Sequence, residues 1–304
     1  MHKRKKIVIV IILCFIIGVL SGCFYERTFF PSTEIENYNK PVVFFESKKN
    51  EETYFIMLEN PEQKYYLNYS HIWDFNPEKQ TFLFCEKKDG KESICEYNLS
   101  QKKYEYLLDG NSVCEYLNLS QVEKFQSVYY YTEDETISFV YGDYLVIYDM
   151  QGEFLLKMQL SLAQTDRIYG WLNSQTLLMS CFRTVYEFNI ESKERTAIKS
   201  ELGVGIILSP DKTMGCSCGD ENWFGAIFNP ILVWDTSSYD VKKFHEGVTS
   251  GARVQLSNDY QYAMYVQDRI GENDDSQLLC INVKNGDVCV IYETEDIIHD
   301  ILWW

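Results

Sequence analysis

From residue 41 onward the chain alternates short apolar runs, rich in aromatic and β-branched residues, with clusters of polar turn formers, and helical periodicity is scarce. Such runs between turn clusters predict strands. Their order repeats. An apolar residue, a polar turn and an apolar strand recur as FNPEKQTFLF (75–84), YTEDETISFV (131–140), LNSQTLLMS (172–180), LSPDKTMGC (208–216) and LSNDYQYAM (256–264). After each of these comes a strand ending in an apolar or aromatic residue plus Asp or Asn: ICEYN (94–98), LVIYD (145–149), VYEFN (185–189), ILVWD (231–235) and LLCIN (278–282). A turn and a last strand follow, as in EFLLKMQ (153–159) and DVCVIY (287–292). Copies of the Asp- or Asn-ended strand begin 40 to 51 residues apart. Four strands per unit at that period is the pattern of propeller blades, whose small sheets bury their faces against one another.

The units resemble the WD-like repeats of TolB-type β-propellers, in which an apolar residue precedes Ser-Pro-Asp-Gly-Lys and a strand. LSPDK (208–212) matches that motif best, and no copy keeps its glycine. The resemblance spans about residues 41–304 and implies a fold, not an activity. Five units are complete. Ahead of them PVVFFES (41–47), TYFIMLE (53–59) and KYYLNY (64–69) supply three strands with no innermost one, and the terminal HDILWW (299–304) resembles the innermost strands of the other units. The expected architecture is all-β: a six-bladed β-propeller closed by the C-terminal strand pairing with the first blade, which removes two unpaired sheet edges.

The N-terminus differs from the rest. Lys3, Arg4, Lys5 and Lys6 precede an uncharged apolar run over 7–20, and then LSGC (20–23). That is the order of an export signal. LSGC resembles the lipobox of bacterial lipoproteins, which implies cleavage before Cys23 and a diacylglyceryl group on it; an uncleaved signal anchor is the alternative. Either places the rest of the chain outside the cytoplasm, anchored to the cell membrane. The expected organisation is a signal peptide at 1–22, a lipidated tether at 23–40 and the propeller at 41–304. Without residues 1–22 the chain carries 24 Lys+Arg against 45 Asp+Glu, a net charge of −21. A domain that acidic repels phosphate backbones and anionic headgroups, so nucleic acid and direct membrane-surface binding are excluded.

Eight cysteines remain beyond Cys23. An exported chain permits disulfides. Cys85 and Cys95 flank a plausible hairpin, and a three-residue turn would set them opposite each other; otherwise all eight serve as small buried hydrophobes. Cys216 and Cys218 share one face of a strand, at a separation too wide for a bond.

Candidate chemistry is sparse. His71 and His299 fall on innermost strands of adjacent blades, which raises a metal or a base near the axis, but no partner carboxylates mark such a site. No serine has the Gly-x-Ser-x-Gly setting of a nucleophile elbow. Two second-to-third-strand loops are long, on adjacent blades and on one face of the ring. One, at 219–230, carries Trp223, Phe224 and Phe228; the other, at 268–276, carries Asp268, Arg269, Glu272, Asp274 and Asp275. Exposed aromatics beside charge suit a recognition surface. The acidic loop lacks the spacing of a calcium loop, so neither a metal nor another cofactor is expected. The function expected is that of a lipid-anchored, extracytoplasmic binding or scaffolding module for an envelope protein or glycan. The alternative is a cell-surface hydrolase using carboxylates in the propeller channel.

Overall fold

A computed structural model describes residues 41–303 apart from 89, 133–134, 161–165, 182–183, 199–200, 220–228, 249–253, 258 and 269–275. Its strands form six four-stranded antiparallel sheets. Blade 2 holds β4 (His71–Asn76), β5 (Thr81–Lys88), β6 (Lys91–Asn98) and β7 (Lys103–Asp109); blade 3 holds β8 (Phe125–Thr132), β9 (Thr136–Tyr141), β10 (Tyr144–Asp149) and β11 (Glu153–Gln159). Blade 4 is β12 (Asp166–Asn173), β13 (Thr176–Cys181), β14 (Thr184–Asn189) and β15 (Arg195–Ala197). In blade 5 the strands are β16 (Val204–Leu208), β17 (Met214–Cys218), β18 (Asn229–Asp235) and β19 (Val241–Val248), and in blade 6 β20 (Val254–Leu256), β21 (Tyr262–Asp268), β22 (Ser276–Asn282) and β23 (Val288–Thr294).

Blade 1 is the composite one. Its β1 (Val42–Glu46), β2 (Thr53–Met57) and β3 (Tyr65–Tyr66) begin the described chain, and β24 (Ile297–Leu302) ends it by pairing with β1. Val42 faces Leu302 and Val43 faces Ile301, so the first and last strands close the ring as a strand swap. At the corner before β24, Asp296 accepts the Tyr54 hydroxyl at 2.6 Å and lies 3.7 Å from the Lys64 ammonium, which fixes where the last strand enters.

The repeated residues have local reasons. In the third turn of each complete blade the Asp or Asn that ends the strand accepts backbone N–H groups two or three residues on: Asn98 from Gln101, Asp149 from Gln151, Asn189 from Glu191 and Ser192, Asp235 from Ser237 and Ser238, Asn282 from Lys284 and Asn285. These are Asx turns, which give the chain a hydrogen-bonded route out of one strand and into the next. In the first turn of blades 5 and 6 a serine does related work. Ser209 Oγ donates to Asp211 at 2.7 Å and accepts the Met214 N–H at 3.0 Å, and Ser257 repeats this with Asp259 and Tyr262. The glycine missing from the motif leaves Lys212 at φ 62° and Tyr260 at φ 58°, left-handed backbone held by non-glycine residues.

The same strain recurs at Lys193, φ 59°, in the exposed turn between β14 and β15. A left-handed residue with a Cβ costs about 1–2 kcal/mol, partly offset by the greater flexibility of unfolded glycine. Lys193→Gly is therefore expected to raise the thermal midpoint by roughly 1–3 °C at about 2–4 °C per kcal/mol, measured by differential scanning calorimetry; a lower midpoint would contradict it.

Adjacent blades pack face to face, and each seam is one apolar cluster. Phe44, Phe55, Phe82, Phe84 and Tyr97 fill the seam of blades 1 and 2, while Phe45, Ile56, Met264, Leu278, Ile301 and Trp303 fill the seam of blades 6 and 1. One element was not anticipated from the pattern: helix α1 (Gly110–Leu117), between blades 2 and 3, capped by Asp109 accepting the Asn111 and Ser112 N–H groups and ended by left-handed Asn118.

The Cys85–Cys95 pairing is corrected. Lys88 pairs with Lys91, so the connection has two residues and not three, and Cys85 faces Ile94 while Cys95 faces Phe84. One residue of offset turns the two side chains to opposite faces of the sheet. Cys85 packs in the seam of blades 2 and 3 and Cys95 in the seam of blades 1 and 2.

Candidate functional site

Blade topology sets which parts can form one site. Because strands run down, up, down and up from the axis outward, the starts of the innermost strands, the second-to-third-strand loops and the connections between blades all lie on one face. The two long loops, between β17 and β18 and between β21 and β22, leave from this face. Gly219 N donates to Pro230 O at 2.7 Å and Asp268 pairs with Ser276, which bounds both loops. Trp223, Phe224, Phe228, Arg269, Glu272, Asp274 and Asp275 lie outside the described residues, as does the side chain of Asp268.

Inside the ring, residues of all six innermost strands line a central channel of about 950 Å³. His71, Lys124 and Arg167 stand at or next to the starts of β4, β8 and β12, at the loop-face mouth. His71 stacks on Trp73 with 5.2 Å between ring centroids. Asp74 and Lys212 lie toward the opposite end.

Among the described residues, the two carboxylates that line the channel, Asp74 and Glu92, are engaged with the fold. Asp74 accepts the Phe75 N–H at 2.9 Å and, from the next blade, the Tyr130 N–H at 3.0 Å. Burial holds its carboxyl above the usual carboxylate range, with Lys212 and the two N–H groups pulling the other way. Glu92 accepts the Ser70 hydroxyl at 3.3 Å and the Phe125 N–H at 3.1 Å. Both therefore tie blade 2 to blade 3. Among the described residues none of Lys124, Arg167 and Lys212 is in an ion pair, although the Lys212 charge acts on Asp74 from beyond ion-pair distance. In a chain of net charge −17 the channel is thus a local reversal of sign.

The two histidines are not brought together as one site. His299 occupies a bulge in β24, where its Nε2 lies 2.7 Å from Glu46 Oε2, and it does not line the channel. Among the described residues no group of three or more His, Cys, Asp or Glu side chains is placed to hold a metal ion. Sequence reasoning passed over Lys124, Arg167 and Lys212. Nothing in their local sequence marks them, because only ring closure brings residues 124, 167 and 212 around one axis.

No protein-family model and no curated protein matches the chain. Solved structures do. TolB from Acinetobacter baumannii superposes with a TM-score of 0.62 at 11% identity, over 87% of this chain and 66% of that one. A protein assigned as TolB in Agrobacterium tumefaciens gives 0.53 at 10% identity, over 86% and 91%. The crystal structure of a nidogen/laminin complex gives 0.54 at 10% identity, over 86% and 97%. At such identities the likeness is one of fold: this chain has a TolB-like β-propeller fold.

Proposed function

We propose that this chain is an exported binding module, held at the membrane by lipid on Cys23 through a tether over residues 23–40, whose loop face receives an acidic group of an envelope protein or glycan partner. One observation carries this reading: His71, Lys124 and Arg167 stand at the loop-face mouth of the channel, with the nearby carboxylates already engaged by backbone donors. The long loops at 219–230 and 268–276 leave from that same face, so Trp223, Phe224 and Phe228 would flank the mouth as apolar anchors. Among the described residues no helix is long and apolar enough to cross a membrane. Of the similar propellers, that of the nidogen/laminin structure is seen in a protein complex. Binding is preferred to hydrolysis because Asp74 and Glu92 are used to join blades.

The test is capture from a cell-envelope extract by the full chain in detergent, beside a Lys124→Glu/Arg167→Glu variant and a variant with residues 219–230 shortened to a tight turn. All must share the wild-type far-UV spectrum and melting transition. Retention of a partner should fall roughly tenfold on charge reversal and weaken with added salt, since the charges at issue are exposed. Equal retention by wild type and charge-reversed protein would remove the channel mouth from the site.

A further inference from the structure

We propose that Cys280 and Cys289 form a cross-strand disulfide, closed by exchange with a disulfide donor as the chain folds. The two residues are direct partners in the β22–β23 ladder. Residues directly opposed on antiparallel strands have Cα atoms about 4.5 or 5.5 Å apart, according to the hydrogen-bonding site, and both values lie within the roughly 4.4–6.8 Å spanned by disulfides. Opposed residues also point to the same side of the sheet, and both side chains are buried in the same apolar cluster. The other cysteines differ: Cys85 and Cys95 are offset by one residue and face apart, Cys216 and Cys218 are two apart on a single strand, and Cys114 and Cys181 lie on α1 and β13, with no cysteine opposite either in a strand ladder among the described residues.

Both groups are thiols in the structure. A thiol hydrogen bond from Cys280 holds the Cys289 thiol below its ordinary pKa, while burial, with that same hydrogen bond, raises Cys280. The Cys289 thiolate attacks one sulfur of the donor disulfide and releases one donor thiolate; the Cys280 sulfur then attacks Cys289 in the mixed disulfide and releases the second. Two protein thiols are oxidised, one donor disulfide is reduced to two thiols, and the two protons pass to the leaving thiolates. Since both side chains end up buried, the exchange belongs to folding, before the seam closes.

The position gives the bond a purpose. The pair sits in the seam between blades 6 and 1, and β23 leads through residues 295–296 directly into β24. A bond from β22 to β23 would fix the strand from which the closing strand departs.

The experiment uses the full chain. Envelope-fraction protein is blocked with N-ethylmaleimide, digested with trypsin without reductant and analysed by mass spectrometry; a second sample is refolded in detergent with reduced and oxidised glutathione and its melting transition confirmed. Cleavage after Arg269 and Lys284 places the two cysteines on separate peptides, 270–284 and 285–304. The expected result is those peptides linked and lighter by two hydrogens, and a thermal midpoint that falls on adding dithiothreitol to wild type but not to Cys280→Ser/Cys289→Ser. Maleimide on both cysteines in both samples, or either cysteine linked elsewhere, overturns the proposal. A link formed on refolding but absent from envelope protein supports the pair and counts against export.

Discussion

Removal of residues 297–304 is expected to abolish the cooperative melting transition of the whole domain. The deletion takes out β24 and with it the innermost strand of blade 1, so that five register pairs with β1 lose their partner at once. It also strips Ile298, Ile301 and Trp303 from the seam that joins the last blade to the first. A propeller seam has no alternative cover: the faces of β21 and β22 that packed against β24 become solvent-exposed, and β1 becomes a bare edge, the geometry that promotes association between chains. Trp303→Ala provides the graded version. A buried Trp→Ala change costs about 3–5 kcal/mol, and at roughly 2–4 °C per kcal/mol the midpoint should fall by about 6–20 °C. Differential scanning calorimetry of both variants against wild type checks the pair of expectations. A truncated chain melting within a degree or two of the full one would show that the ring does not depend on its last strand.

That closure was legible because it left an arithmetic trace. Three strands at residues 41–69 lacked an innermost member, and a strand resembling the other innermost strands stood unpaired at the other end. The blade period was legible for a related reason: the Asn or Asp ending each third strand is required by the turn it caps, and so it recurs wherever that turn does. Features that depend on one residue of register were harder to read. Whether Cys85 faces Cys95 turns on a two- or three-residue connection, and the sequence EKKDGKESI accommodates either. Cys280 and Cys289 were hidden by the same ambiguity, since a bulge between Leu278 and Leu279 sits close to them in the ladder. Helix α1 was missed because eight residues give too few turns for periodicity to show, although Asp109 is a capping residue of the usual kind.

The candidate site was legible only in outline. Loop length is a property of sequence, so the two long connections and their common face could be read directly. The cationic mouth could not, because Lys124 and Arg167 lie 43 positions apart on different blades and meet only through the ring. Net charge pointed the other way, toward an acidic surface, and averaging over the chain concealed the reversal inside it.

The second large effect is expected from a single methyl group. Gly215 lies within β17 directly opposite Trp234 of β18, and a Cβ built at Gly215 would fall 2.2 Å from Cζ2 and 2.3 Å from Cη2 of the indole. The ring lies over the glycine's backbone, a close approach of the kind that explains glycine inside a strand. It has little room to yield: Trp234 is 1% exposed and packs against Leu178, Val185, Ile206 and Leu232 in the seam between blades 4 and 5. Ordinarily glycine to alanine in a strand interior stabilises by roughly 0.5–1 kcal/mol, so the sign of the change is diagnostic. Here overpacking should dominate at about 3 kcal/mol, the upper part of its usual range, lowering the midpoint by roughly 6–12 °C. Pairing Gly215→Ala with Trp234→Leu removes the ring that the methyl strikes, and the two changes should then cost less together than the sum of each alone. Strict additivity in that cycle, or a Gly215→Ala midpoint at or above wild type, would mean that the indole does not lie over the strand as described.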